Sequence, residues 1–169
     1  MNFLHFFLIL NSALKLNCER KLHKIENCTS TEELSHIVRC DLVNGMMSIV
    51  YDIKAPISKA MIEYCFFKFE SSKFRPLGKC QHFDRCNLFN HGPTSNPILS
   101  GLFKILKHMG ASIAQVTAPC PLYGRQEFLN ISLYSNFLTI LPRGMLLIRY
   151  KMYNNDGIII GMSIVIANR

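Results

Sequence analysis

The chain has 169 residues, 49% of them hydrophobic and 18% charged, with a formal net charge of +8 and no Trp. That length accommodates one domain with an ordinary core. The hydrophobic content excludes a disordered chain, and seven Pro with nine Gly exclude a collagen-like or low-complexity one. No apolar run approaches the ~20 residues that span a bilayer, which excludes a multi-pass membrane protein. There is no long Lys/Arg run and no RNP, zinc-finger or basic-helix signature, so the basic charge does not read as nucleic-acid binding.

In chain order, the first element is an apolar block, Met1 to Leu10, broken at Asn11-Ser12. Its length and the small residues Ser12 and Ala13 after it match a secretory signal, although no Lys or Arg precedes it. Residues 1–17 are therefore predicted to be a signal peptide, cut between Ser12 and Asn17, and 18–169 a single secreted, extracellular domain. Asn27-Cys28-Thr29 and Asn130-Ile131-Ser132 are sequons, which makes Asn27 and Asn130 candidate glycosylation sites. Seven cysteines follow, at 18, 28, 40, 65, 80, 86 and 120. In an oxidising lumen they would pair, the odd count leaving one over, and spacing alone does not give the connectivity.

From about Leu34 the pattern is short and alternating. Residues 45–54 place Met47, Ile49, Tyr51 and Ile53 on one face against Ser48, Asp52 and Lys54, a half-buried strand. Ala55-Pro56-Ile57-Ser58 is expected to turn the chain into residues 59–69, aromatic-rich and apolar on both faces, a central strand. Pro97 followed by Ile98, Leu99, Leu102, Phe103, Ile105, Leu106 and Met109 has helical spacing, with Ser95 or Asn96 as cap and Gly110 as exit, so 97–109 is predicted helical. In 127–134, Leu129, Ile131 and Leu133 share one face and Asn130 and Ser132 the other, which would direct a glycan on Asn130 to solvent. Residues 145–153 and 158–166 flank Asn154-Asn155-Asp156-Gly157, a hairpin signal, with Ile158, Ile160, Met162, Ile164 and Ile166 on one face of the last strand. Strands around a single helix imply a mainly β protein, an antiparallel β-sandwich with one helical insertion.

Catalytic signatures are missing: there is no G-x-S-x-G, H-E-x-x-H, Walker loop or dinucleotide-binding glycine pattern. After Cys86 only Glu127 and Asp156 carry carboxylates, so no acid/base pair is in view. Cys80, His82, Cys86 and His91 have the chemistry of a zinc set but not a standard ligand spacing, and secretion would oxidise the thiols. The expectation is therefore no enzyme, no metal and no cofactor. Eight Met and twelve Phe supply deformable apolar surface of a kind that suits a cavity for a flexible acyl chain.

The order Cys40-Asp41-Leu42, Phe74-Arg75-Pro76 (read as a turn), Asp84-x-Cys86, Asn96-Pro97, Cys120-Pro121 and Leu141-Pro142-x-Gly144 resembles a dipteran family of small secreted proteins. That family includes the chemosensory CheB proteins, and the resemblance covers roughly residues 28–169. The family is similar in turn to the ML (lipid-recognition) domains, two antiparallel sheets with an immunoglobulin-like arrangement opening on an apolar pocket. What the resemblance implies is a non-enzymatic binder of a lipid or hydrocarbon, in contact chemosensation of pheromones for the CheB members. Cys28, Cys40, Cys86 and Cys120 match the family's cysteines, and a Cys86–Cys120 bond would tie the two ends of the helical insertion. Cys18, Cys65 and Cys80 depart from that pattern. Under the alternation the ligand-lining candidates are Met47, Ile49, Tyr51, Ile62, Phe66, Leu146, Ile148, Ile160 and Met162. The alternative is a filled sandwich whose basic surface docks on a membrane receptor or channel.

Overall fold

A computed structural model describes residues 20–91, 119–131 and 144–168. Among these residues it contains two antiparallel sheets and one short helix: β1 Arg20–Thr29, β2 Ser35–Val43, β3 Met46–Ile57, β4 Met61–Glu70, β5 Lys73–Pro76, β6 Gln81–Asp84, α1 Arg85–His91, β7 Leu122–Ile131, β8 Leu146–Asn154 and β9 Gly157–Asn168. The larger sheet runs β1-β9-β8-β4-β5, with β6 also pairing β4, and the smaller runs β2-β3-β7. This is the expected mainly β, two-layer antiparallel architecture. The predicted signal at 1–17 and the predicted helix at 97–109 lie outside the described residues.

Local chemistry explains the tight turns. Val43 pairs with Met46 across Asn44-Gly45, both at positive φ (53° and 76°), the two-residue loop that follows the right-handed strand twist. Glu70 pairs with Lys73 across Ser71-Ser72, again both at positive φ. Phe74-Arg75-Pro76 is therefore the edge strand of that hairpin rather than a turn, and Pro76 sits at its end, where a missing N–H costs no ladder bond. The predicted hairpin at Asn154–Gly157 is present, and Asn154 Oδ1 accepts from the N–H groups of Asp156 and Gly157 at 2.9 and 3.1 Å.

As expected, β4 is central, with β8 on one edge and β5 and β6 on the other. The β3 alternation also holds, since Met47, Ile49, Tyr51 and Ile53 all lie in the main core cluster. Two details of β3 differ. Val50 and Ser48, on the opposite face, are buried too; the Ser48 hydroxyl accepts from the Asn130 N–H at 3.3 Å, and Val50 is flanked in register by the long side chains of Arg39 and Glu127. Ala55-Pro56 does not turn the chain but continues the strand to Ile57. The register with β7 breaks between Ile53 and Ile57, so Pro56 falls where no ladder bond is required.

Bulges account for two further corrections. Met47 faces Ile131 and Ile49 faces Phe128, so two residues of β7, Leu129 and Asn130, oppose one of β3, Ser48, with Asn130 at φ 54°. Phe128 and Ile131 then pack on the core while Leu129, expected on the apolar face, is exposed. In β9, Tyr153 faces Ile158 and Met152 faces Ile160, which leaves Ile159 as the extra residue. Ile159 and Ile160 are both buried, whereas Ile158, expected on the buried face, is only half-buried.

Candidate functional site

The inward face of the larger sheet is built of cross-strand rows. Ile62, Met152 and Ile160 form one, Tyr64, Tyr150 and Met162 the next, Phe66, Ile148, Ile164 and Ile25 a third, and Leu146, Ile166 and Leu22 a fourth. The smaller sheet opposes these with Leu42, Met47 and Ile131, then Cys40, Ile49 and Phe128, then Ile37, Tyr51 and Gln126. Period two keeps each set on one side of its strand, and antiparallel pairing brings the sets into register.

Seven of the nine ligand-lining candidates, Met47, Ile49, Tyr51, Ile62, Leu146, Ile160 and Met162, are buried in one cluster drawn from both sheets. Ile148 packs against that cluster. Phe66 is half-buried beside Ile148 in register, with its ring edge-on to Tyr64 at 5.5 Å. Tyr51 is nearly parallel to Phe128 at 6.0 Å.

Sequence reasoning missed a polar group in this interior. Arg85, the first residue of α1, is only 4% exposed. Asp84 caps the short helix, its Oδ1 accepting from the Asn87 N–H at 2.9 Å, and the Arg85 N–H donates to the Ala60 carbonyl at 2.8 Å. Together these fix where the guanidinium leaves the backbone. Its Cζ stands 4.9 Å from the Phe89 ring centre, and Nη1 lies 3.7 Å from Cys120 Sγ. Arg85 interacts electrostatically with the hydroxyls of Tyr51 and Tyr150, one from each sheet. Burial pushes the Tyr51 phenol far above its ordinary value and Tyr150 up to about 12, so both are neutral hydroxyls at physiological pH. Burial also lowers the guanidinium's affinity for its proton, and the phenols act in the opposite direction. Tyr150 continues the Leu146 and Ile148 parity and was legible as inward-facing. Nothing around Arg85 marks it as buried except its neighbour Cys86.

Disulfides join Cys28 to Cys40, Cys65 to Cys80 and Cys86 to Cys120; Cys18 lies outside the described residues. The first links β1 to β2, one edge of each sheet. The third links α1, which follows β6, to the segment leading into β7, at the opposite edges. The zinc alternative loses both thiolates, since Cys80 and Cys86 are bonded elsewhere. His82 Nδ1 lies 3.6 Å from Glu63 Oε2, and the His91 side chain is outside the described set. Among the described residues no group of three His, Cys, Asp or Glu is placed to hold a metal ion. Both sequon asparagines are exposed and left-handed, Asn27 at φ 55° and Asn130 at 54°, each beside a register shift.

No protein-family model matches the chain, and no curated protein matches it. Among solved structures it is similar to chicken MD-1, the subject of a structure described as complexed with lipid IVa. The identity is 15% and the TM-score 0.32, over 88% of this chain and 96% of that one.

Proposed function

We propose that the protein is a secreted, non-enzymatic carrier of a lipid or other apolar ligand, held between the two sheets. The observation that carries this reading is the composition and closure of the interior. Two facing surfaces of aliphatic, thioether and aromatic side chains are joined by disulfides along both long edges. Removing an acyl chain from water onto such surfaces gains about 25 cal/mol per Å² of apolar area. Flexible methionines such as Met47, Met152 and Met162 adapt to a guest without a fixed shape. The disulfides support an oxidising compartment, in agreement with the apolar block at Met1–Leu10 and the two exposed sequon asparagines. The sequence resemblance to the CheB family narrows the proposed ligand to a hydrocarbon or pheromone-like lipid and the setting to chemosensation.

The test is recovery of the protein from the medium of secreting cells, organic extraction and mass spectrometry of the extract, alongside displacement of a fluorescent fatty acid. A co-purifying acyl lipid or saturable displacement is expected. Folded, disulfide-bonded protein that yields neither would overturn the reading. If it instead bound a receptor with affinity that falls as salt rises, it would act as a docking module.

A further inference from the structure

The apolar side of β4 changes over along its length. Ile62, Tyr64 and Phe66 face inward, in register with Met152, Tyr150 and Ile148. Lys68 and Glu70 continue that parity, and the large apolar side chains are then Phe67 and Phe69, on the outer side. The β5 residues follow suit: Phe67 faces Pro76 and Phe69 faces Phe74, while Lys68 faces Arg75 and Glu70 faces Lys73. Residues directly opposite in an antiparallel pair share a face, so one face of this hairpin is wholly apolar and the other wholly charged. The change comes where β4 outruns the sandwich, since Lys68 is its last residue in register with β8.

Phe69 is 43% exposed although its ring stands edge-on to Phe74 at 5.2 Å, and Pro76 and Leu77 beside the pair are exposed too. The ring contact stabilises the turn, but it does not account for an outer face made of Phe67, Phe69, Phe74 and Pro76. Arg149 lies over the Phe67 ring at 5.0 Å and extends the positive charge along that face. Residues 67–79 carry four cations, Lys68, Lys73, Arg75 and Lys79, against one carboxylate, Glu70, which Lys68 binds at 2.8 Å. Long stems let such cations remain beside anionic groups while neighbouring rings enter an apolar phase.

We infer that the β4–β5 hairpin docks the protein on an anionic lipid bilayer, with Phe69 and Phe74 entering the interface and Lys73, Arg75 and Lys79 held at the headgroups. A bilayer presents an apolar phase beside a plane of negative charge, which matches the two faces of the hairpin. The outer face has no side-chain donor or acceptor with which to register a protein partner. The docking is independent of the carrier function, because no side chain of the interior takes part.

The test is co-sedimentation of the intact disulfide-bonded protein with vesicles of phosphatidylcholine and of phosphatidylcholine mixed with phosphatidylserine. Each cation near an anionic surface strengthens binding about fivefold, so the hairpin's surplus predicts a preference of about a hundredfold for the mixed vesicles, falling as salt rises. Lys73→Glu with Arg75→Glu, both at exposed positions, is expected to abolish that preference. Phe69→Ser with Phe74→Ser is expected to weaken binding about tenfold, with far-UV circular dichroism verifying the fold of each variant. The chain has no Trp, so Phe69→Trp adds a single reporter whose emission should shift to the blue on the mixed vesicles. Tyr123→Trp, at a 61% exposed position of the smaller sheet, should not shift. Binding to neither vesicle, equal binding to both, or a shift at 123 without one at 69 overturns the docking. So does hairpin-dependent binding to an acidic protein without binding to vesicles. Should the double serine variant not fold, the charge reversal and the two reporters decide the matter. Ligand extraction and displacement read the carrier function separately.

Discussion

The two edges at which the sheets meet are closed by the same covalent device but differ in everything around it. At the β1/β2 edge, Cys28–Cys40 is accompanied by neutral polar groups that satisfy one another. Thr31 donates its N–H to the Ile158 carbonyl at 2.7 Å and accepts the Ile158 N–H on Oγ1 at 2.9 Å, while the buried Ser35 hydroxyl donates to the Ile159 carbonyl. At the α1/β7 edge, Cys86–Cys120 is accompanied by a buried cation and two phenols. A closed, internally satisfied edge specifies the fold and offers a ligand nothing. An edge that buries charge gives up stability that packed hydrocarbon would have supplied. The first edge is neutral and satisfied from within, and the second holds a buried charge.

The largest effect that can break this comparison is covalent. Cys86 and Cys120 are 34 residues apart and Cys28 and Cys40 are 12. On loop entropy alone, the paired change Cys86→Ser with Cys120→Ser is expected to cost about 4 kcal/mol and Cys28→Ser with Cys40→Ser about 3. Chemical denaturation of the two variants measures this. The reverse order would place the more constraining closure at the β1/β2 edge.

Next in size is Ser35→Ala, which removes a wholly buried hydroxyl and leaves the Ile159 carbonyl without that donor. A loss of about 1–3 kcal/mol is expected. Denaturant unfolding of the variant measures it, and a loss well below this range would mean that the Ser35 hydroxyl does not close the edge.

Much of the fold was legible because it depends on local rules. Alternation in β3, the Asn/Asp/Gly cluster before β9 and the two-faced apolar character of β4 each required only the strand's own residues. What was not legible depends on a partner strand. The parity of Leu129 and of Ile158 is reversed by bulges that arise where β7 and β9 meet their neighbours. Pro56 suits a strand only because β7 lets go of β3 at that point. The lining candidates were within reach for the same reason as β3, since i, i+2 spacing selects a face. Arg85 was not, because Asp84-Arg85-Cys86 reads as polar surface. Its burial follows from the Asp84 cap, the Ala60 carbonyl and a disulfide partner in a segment more than thirty residues away.

A smaller effect separates the edges by pH. Tyr150 is held protonated by its surroundings, its value raised from 10.0 to about 12, and Tyr51 is raised further in the same sense. A group whose pKa is higher in the folded state contributes stability that is complete below the unfolded value and lost as pH climbs through the folded one. Unfolding free energy is therefore expected to fall between about pH 10 and pH 12. Tyr150→Phe should flatten that decline, whereas Ser35→Ala should leave its slope unchanged, since none of the hydrogen-bonding groups of the β1/β2 edge described above titrates. An undiminished decline in Tyr150→Phe would place the alkaline sensitivity elsewhere.

The smallest expected effect tests the strand that borders the charged edge. If alternation alone ruled β7, Leu129 would point inward beside Ile131, and Leu129→Ser would cost about 2 kcal/mol or more, as for a core leucine. The bulge at Asn130 instead gives Phe128 and Ile131 the inward positions and leaves Leu129 37% exposed. The same substitution should then shift stability by no more than about 0.5 kcal/mol. Thermal or denaturant unfolding distinguishes the two outcomes directly. A large loss would mean that β7 runs without the bulge, with Phe128 turned outward, which removes the ring stacked on Tyr51.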